Sequence, residues 1–199
     1  CPYAIDKALM AFGMPMGIYR MNDSVGVDLG VHIAPIFTKA YPERVFNSPI
    51  AELMVKAGRM GQKSNLGFYK YPQPRKATPD PQGLKPILTE IRTKQSELAI
   101  PDCSKLTPQD IVEICLFPVI NECTRTLAEG FAASAADVDV VSVMGYGFPA
   151  YRGGLMTYGQ QVGWANVAKS LEKWAKFFPK QAAFFKPSEP LLKLAAGKQ

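Results

Sequence analysis

The chain has 199 residues, of which 47% are hydrophobic and 20% charged. This balance predicts a globular protein with a buried core and excludes general disorder. The net charge of +6 favours anionic ligands, but it is too modest and too evenly spread to indicate nucleic-acid binding. No apolar run approaches the ~18–20 residues that a membrane span requires. His32 is the single histidine, so the acid–base and metal chemistry open to the chain alone is narrow.

The cysteines predict reduced thiols, not disulfides or a zinc site. None of them forms a Cys-x-x-Cys pair, and one histidine cannot complete a zinc site, so we expect an intracellular compartment and no bound metal. The chain starts with Cys-Pro-Tyr, without a signal segment, and we expect this to be a cut end. It ends without a Ser-Lys-Leu-type peroxisomal signal. The cysteines are Cys1, Cys103, Cys115 and Cys123.

The first half of the chain reads as short helices followed by a proline-rich segment. Tyr71–Pro81 holds four prolines in eleven residues, which predicts an extended, polyproline-like linker. No pair of alternating strands joined by a hairpin turn is visible. Apolar residues recur at helical spacing near 3–11, 28–40, 49–57 and 84–97. We predict a first domain at 1–71, a linker at 72–82 and a second domain at 83–199.

The second half opens on a strong helix start. Thr107 is a capping residue, Pro108 suits the first helical position, and Asp110 places an acid in the first turn. An apolar ladder then runs to Gly130, with Pro118 inside it, where a bend is expected. Further helices are predicted over 164–178, with a wide apolar face, and near 187–196. The predicted fold class is all-α.

An internal repeat organises the sequence. Aspartate, proline and glycine recur in the same order, at separations of 133, 134 and 137 residues. A long helix at 107–129 precedes the second copy, and its counterpart would precede residue 1. We therefore expect the first copy to lack this helix, and its apolar face to be covered from outside the sequence. The paired positions are Asp6 with Asp139, Pro15 with Pro149, and Gly26 with Gly163.

One segment offers an alternative interpretation. Residues 138–150 can be read as a strand running into Gly-x-Gly-x-x-Ala, a dinucleotide-binding fingerprint. Phe148 and Pro149 argue against it, because a bulky ring and a residue without an N–H stand where backbone amides should hold pyrophosphate. Only 49 residues follow Ala150, and their helical pattern leaves no room for a βαβ unit. A helix followed by a Gly-Pro turn is the favoured prediction.

Several motifs carry a family resemblance that covers nearly the whole chain. The segment 4–17 resembles the C-terminal helical domain of 3-hydroxyacyl-CoA dehydrogenases. Gly58–Tyr71 resembles the end of the first such domain in multifunctional β-oxidation enzymes of the peroxisomal type. Four further segments resemble the second domain and the tail of the same enzymes. They are Phe117–Glu122, Leu127–Gly130, Gly145–Gly154 and Phe185–Leu192.

The resemblance implies two tandem helical domains packed as a pseudo-dimer, the first of them truncated. In this family an upstream Rossmann domain binds NAD and supplies a catalytic His–Glu pair. The resemblance therefore implies no catalytic, cofactor-binding or metal residue in this chain and no activity of the chain alone. The implied partners are that Rossmann domain and, through it, an acyl-CoA substrate. The implied location is peroxisomal, or cytoplasmic for a bacterial source.

The resemblance also implies roles for two short segments. Met14, Pro15, Met16 and Gly17 would border the substrate cleft, where flexible methionines suit acyl chains of varying length; a role as core-turn residues is equally open. Ile18-Tyr19 replaces the usual Pro-Phe after Met-Gly. The second segment would be a structural motif in which Arg152 binds helix C-terminal carbonyls; a direct contact to a ligand is the alternative. It comprises Gly147, Pro149, Tyr151, Arg152, Gly153 and Gly154.

Three alternatives stay open. Lys56, Arg59 and Lys63 form either a solvated basic face or a contact to CoA phosphates. His32 matches no catalytic position of the family, and a structural role is favoured. The whole chain could instead be a stand-alone module that binds a partner or self-associates through its uncovered apolar face.

Overall fold

The computed structural model describes residues 1–73, 76–93 and 101–197. The described ranges are mainly helical, which confirms the predicted fold class. The first half contains α1 (Pro2–Phe12), α2 (Ile18–Val25), α3 (Val27–Ala40), α4 (Ile50–Lys56), β1 (Tyr69–Gln73), β2 (Lys76–Pro79) and α5 (Pro81–Thr93). The second half contains α6 (Pro108–Ala128), α7 (Ala135–Tyr146), α8 (Leu155–Val162), α9 (Trp164–Phe177) and α10 (Glu189–Ala195).

The predicted helices are confirmed to within a few residues. Residues 94–97, the end of the helix predicted over 84–97, lie outside the described ranges. The helix predicted at the start of 138–150 is confirmed as α7, which ends at Gly147 in a left-handed conformation with φ of 76°. The dinucleotide interpretation of this segment is therefore excluded, because the strand that it requires is a helix.

The expectation that no hairpin exists was wrong. β1 and β2 pair antiparallel, with Tyr69 opposite Pro79 and Lys70 opposite Thr78. Tyr69 and Tyr71 are buried while Lys70 between them is exposed, so β1 has one face on the core. Proline is tolerated here because each strand of a two-stranded ribbon has an unpaired edge. The segment predicted to be polyproline-like is thus partly a β-ribbon. The predicted domain boundaries at residues 71 and 83 stay predictions.

The chain divides into two compact units, and unit 1 comprises residues 1–7 and 16–100. Its hydrophobic core gathers side chains from α3, α4, β1 and α5. The buried Asp23 carboxylate accepts the N–H groups of Phe68 and Tyr69 at 2.8 and 2.9 Å and the Tyr71 hydroxyl at 3.0 Å. Burial raises the pKa of Asp23 despite these bonds. These bonds tie the end of α2 to the hairpin.

Unit 2 comprises residues 8–15 and 101–199, and α6 is its central helix. α6 begins with a capping box in which Thr107 and Asp110 exchange side-chain and backbone hydrogen bonds. It contacts α8, α9 and α10. Its Glu113 carboxylate accepts the Ser170 hydroxyl at 2.6 Å and the Trp174 indole N–H at 3.3 Å. Glu113 thus adds polar contacts to the α6–α9 interface.

All four cysteines are free thiols, as predicted. Burial raises the pKa of the Cys123 thiol to about 12. In the part of the chain that the structure describes, no helix has the length and hydropathy needed to cross a membrane.

Candidate functional site

The first copy of the repeat is built around the Asp6 carboxylate. It accepts the backbone N–H groups of Tyr19 at 2.9 Å and Arg20 at 3.1 Å, in the first turn of α2. The Tyr69 hydroxyl donates to it at 2.8 Å. Gly17 precedes α2, and a Cβ at Gly17 would overlap the Asp6 carboxylate. Asp6, which lies eleven residues before Gly17, therefore acts as the N-cap of α2.

The second copy repeats this arrangement around Asp139. Its carboxylate accepts the N–H of Met156 at 2.7 Å and the hydroxyl of Thr157 at 2.6 Å, in the first turn of α8. Gly154 precedes α8 with φ of 107°, and a Cβ there would come within about 2.5 Å of Asp139. The glycine is thus required twice over, by its backbone conformation and by the close approach of the carboxylate.

The two copies agree beyond the aspartates. α2 and α8 each have eight residues, and α3 and α9 each have 14. Gly26 separates the first pair with φ and ψ of 110° and 120°, and Gly163 separates the second with 91° and 122°. Helices α1–α2–α3 and α7–α8–α9 are therefore two copies of one motif, as the sequence repeat predicted.

The segment from Met14 to Gly17 connects α1 to α2. Met14 is buried and donates its N–H to the Leu9 carbonyl at 3.0 Å. Pro15 is exposed, Met16 is half-buried and Gly17 is buried. Their role at the border of a cleft stays a prediction. The geometry itself assigns Gly17 a place at the start of α2.

The segment from Gly147 to Gly154 connects α7 to α8. Tyr151 is exposed, yet its hydroxyl donates to the Phe12 carbonyl at 2.8 Å. Arg152 donates Nε–H to the same carbonyl at 3.1 Å, and its guanidinium lies 3.9 Å from the centre of the Phe12 ring. Phe12 is the last residue of α1, so both side chains bind the carbonyl end of that helix.

The two connecting turns meet reciprocally within unit 2. A Cβ at Gly13 would lie 2.9 Å from Pro149, and a Cβ at Gly147 would lie 2.8 Å from Pro15. Gly13 and Gly147 are equivalent in the repeat, as are the two prolines. Such an exchange of equivalent contacts is what a two-fold axis produces between identical subunits. Each turn therefore contacts the equivalent residues of the other turn within unit 2.

The basic residues do not form one face. Arg59 is buried, donating to the Gly67 carbonyl at 2.8 Å and to Asp80 at 2.9 Å. It is therefore neither solvated nor available to a phosphate, and both interpretations were wrong for this residue. Lys63 pairs with Asp28 at 2.6 Å, and Lys56 is exposed at the end of α4.

The histidine and the other potential metal ligands of the described ranges form no cluster. His32 is exposed on α3. No group of three histidine, cysteine, aspartate or glutamate side chains is placed to hold a metal ion within residues 1–73, 76–93 and 101–197. Within the same described ranges, the sheet consists of the antiparallel strands β1 and β2. A dinucleotide-binding fold instead has a parallel sheet with helical crossover connections.

Sequence reasoning missed an apolar groove of about 500 Å³ in unit 2, between α6 and α7. Val119, Cys123, Phe131, Val141 and Tyr146 line it. The valine-rich segment at 138–143 could have indicated this groove. It places apolar residues on both the buried and the exposed faces of α7.

Known proteins resemble this chain along nearly all of its length. Residues 1–71 match the family described as 3-hydroxyacyl-CoA dehydrogenase, C-terminal domain. The glyoxysomal fatty acid β-oxidation multifunctional protein MFP-a of Cucumis sativus is 43% identical over 186 residues, which cover 94% of this chain and 25% of that protein. The peroxisomal bifunctional enzyme of Danio rerio is 36% identical over 208 residues, with coverage of 98% and 28%.

Solved structures agree. The dehydrogenase part of multifunctional enzyme 1 from C. elegans has a TM-score of 0.64 and 27% identity, covering 97% of this chain and 42% of that one. The 3-hydroxybutyryl-CoA dehydrogenase of Escherichia coli has a TM-score of 0.71 at 20% identity, covering 99% and 55%, and supports the fold. This chain spans about a quarter of the length of the curated relatives named above. Residues 1–71 belong to the 3-hydroxyacyl-CoA dehydrogenase C-terminal domain family, and the chain as a whole is similar to about a quarter of the fatty acid β-oxidation multifunctional proteins named above.

Proposed function

We propose that this chain is the C-terminal helical part of a multifunctional fatty acid β-oxidation enzyme with NAD-dependent 3-hydroxyacyl-CoA dehydrogenase activity. The observation that carries this proposal is the 43% identity to the cucumber protein across 94% of the chain. In this role the chain supports the acyl-CoA cleft by helix packing. It leaves dinucleotide binding and proton transfer to residues upstream.

The division of labour is supported by what the described residues contain. Their strands form a single antiparallel ribbon, and their one histidine is exposed on α3. NAD would therefore be held by an upstream Rossmann domain, which would also bring the acyl-CoA substrate. The isolated chain should not oxidise NADH in the presence of acetoacetyl-CoA.

The cleft border is proposed at Met14–Gly17. The turn is fixed at both ends, by the Met14 N–H bond to Leu9 and by the Asp6 carboxylate that approaches Gly17. Met16, half-buried between these anchors, offers a flexible apolar surface to an acyl chain. Met16→Ala in the complete enzyme should raise the KM for long-chain substrates more than for four-carbon substrates. Equal effects on both would argue for a purely structural turn.

The location proposed for this chain is peroxisomal, in keeping with the names of its plant and zebrafish relatives. We also propose that the isolated chain self-associates through exposed apolar residues. Light scattering over a range of concentrations measures it directly.

A chimera tests the proposed function. The matching quarter of the cucumber protein would be deleted in one version and replaced by this chain in another. We expect the deletion to abolish 3-hydroxyacyl-CoA dehydrogenase activity and the replacement to restore it. A replacement protein that is folded by circular dichroism but inactive would overturn the proposal, as would NADH oxidation by the isolated chain.

A further inference from the structure

Tyr69 of strand β1 is hydrogen-bonded through both its backbone and its side chain, and the two bonds reach opposite ends of α2. Its backbone N–H donates to the carboxylate of Asp23, in the second half of α2, at 2.9 Å. Its hydroxyl donates at 2.8 Å to the Asp6 carboxylate, which caps the start of the same helix. Burial raises the pKa of the Tyr69 hydroxyl, so this group stays protonated and remains a donor. One residue of the hairpin thus holds both ends of α2.

The second repeat copy satisfies its capping carboxylate without a strand. Asp139 accepts the Thr157 hydroxyl at 2.6 Å, and Thr157 is the third residue of α8 itself. The third residue of α2 is Arg20, which has no hydroxyl to donate. Of the two carboxylates, that of Asp6 alone bonds a strand residue within the part of the chain that the structure describes. The start of α2 is therefore coupled to the hairpin, whereas the start of α8 is held locally.

The same carboxylate sets the position of the turn before α2. Gly17 lies so close to Asp6 that a Cβ on the glycine would overlap the carboxylate. The backbone at Gly17 is thus placed by Asp6, and a carboxylate that has lost one of its donors can rotate about its side-chain torsions. Met16, which is proposed above to offer an apolar surface to an acyl chain, directly precedes this glycine. A movement of Asp6 is therefore passed to Met16 through a single residue of backbone.

We propose that Tyr69 is a positioning residue for acyl-chain binding: its hydroxyl orients Asp6, and Asp6 fixes Met16 at the border of the cleft. This inference rests on the proposed function and adds that the preference for acyl-chain length depends on the hairpin. The ligand concerned is the hydrocarbon chain of a long acyl-CoA, because a four-carbon acyl group has little chain to place against a methionine. Tyr69 acts only through Asp6 and takes no part in proton or hydride transfer.

Tyr69→Phe tests the proposal, because it removes the hydroxyl and keeps the ring. In the chimera described above, it should raise the KM for a long-chain substrate about fivefold, the effect of one lost hydrogen bond, and change kcat and the four-carbon KM by less than about twofold. Tyr71→Phe is the matched control, since the Tyr71 hydroxyl donates to Asp23 at 3.0 Å. In either variant the aspartate keeps two backbone N–H donors. Both variants should lose similar stability in urea, but only Tyr69→Phe should change the chain-length preference.

A rescue variant shows whether the lost donor is the cause. Arg20→Thr places a hydroxyl at the position that Thr157 has in the second copy, where it donates to the equivalent aspartate. Added to Tyr69→Phe, it should bring the long-chain KM back to within about twofold of the value for Arg20→Thr alone.

The proposal is overturned if Tyr69→Phe leaves the long-chain KM unchanged, if it raises the KM of both substrates equally, or if Tyr71→Phe has the same effect. Failure of the rescue overturns it as well. With an active unsubstituted chimera, each of these results removes the role of Tyr69 and leaves the proposed function standing. An inactive unsubstituted chimera overturns both.

Discussion

Replacing Asp139 by alanine removes the carboxylate that holds the first turn of α8. One oxygen accepts the Met156 N–H at 2.7 Å, and the other accepts the Thr157 hydroxyl at 2.6 Å and the Thr157 N–H at 3.2 Å. Three donors lose their partner at a partly buried helix start, and each loss costs about 1 kcal/mol where water only partly replaces the bond. We expect the free energy of unfolding to fall by ~2–3 kcal/mol, or by ~4–12 °C in Tm for a chain of this size.

Urea denaturation of the wild type, Asp139→Ala and Asp139→Asn measures the effect. Asn keeps one acceptor oxygen, so its cost should be smaller, about 1 kcal/mol. Glu172→Ala is the control, because Glu172 is exposed on α9 and its removal should change stability by less than ~0.5 kcal/mol. Hydrogen exchange should accelerate at the Met156 and Thr157 amides first. If Asp139→Ala were as stable as Glu172→Ala, the carboxylate would not be what holds the start of α8.

Three further outcomes are expected. Trp174→Ala should destabilise the isolated chain by ~3–5 kcal/mol in thermal or urea unfolding, because it leaves a cavity at a buried site. Phe37→Ala, at the equivalent exposed position of α3, should cost under ~1 kcal/mol. Equal losses of stability would contradict the assignment of Trp174 as covered and Phe37 as open. Hydrogen bonds from Lys173 and then Thr107 lower the pKa of Asp110 from 3.8 to about 2. The stabilisation by Lys173, at most ~1 kcal/mol after solvent screening, is present above pH 3.8 and is lost as the pH falls towards 2. Lys173→Met should flatten this part of the stability–pH curve, and an unchanged curve would refute the pairing. Gly147→Ala should lower Tm by several degrees, because φ is 76° and a Cβ would press on the facing proline; an unchanged Tm would show that the turn adapts.

Local signals in the sequence, either a side-chain cap or a regular apolar stripe, predicted most of the helices. α6 starts at a Thr–Pro–x–Asp signal and was located correctly. α2, which has eight residues, was not predicted, and no side chain next to its start caps it. Its first N–H groups are satisfied by Asp6, which lies on the preceding helix. A cap supplied from that distance leaves no pattern in a short sequence window.

The same reason explains the errors around residue 59. Arg59 was read as a surface residue because cations are seldom buried. The β1–β2 hairpin brings its partners, the Gly67 carbonyl and Asp80, close to Arg59. This hairpin was not predicted because its prolines indicated an extended linker. The repeat, in contrast, was visible because its aspartates and glycines are required by a geometry that occurs twice.

The reciprocal contact between the Gly13–Pro15 and Gly147–Pro149 turns has a consequence for association by mass action. Two separate subunits joined by so small a contact would dissociate on dilution, since each turn offers only a few atoms. Here both turns belong to one polypeptide chain. The effective concentration of one turn around the other is therefore in the ~mM range and does not depend on the protein concentration. The tether also releases the two copies from the need to remain identical. One can therefore satisfy its aspartate with a tyrosine of the hairpin, and the other with a threonine of its own helix, without loss of the symmetric contact.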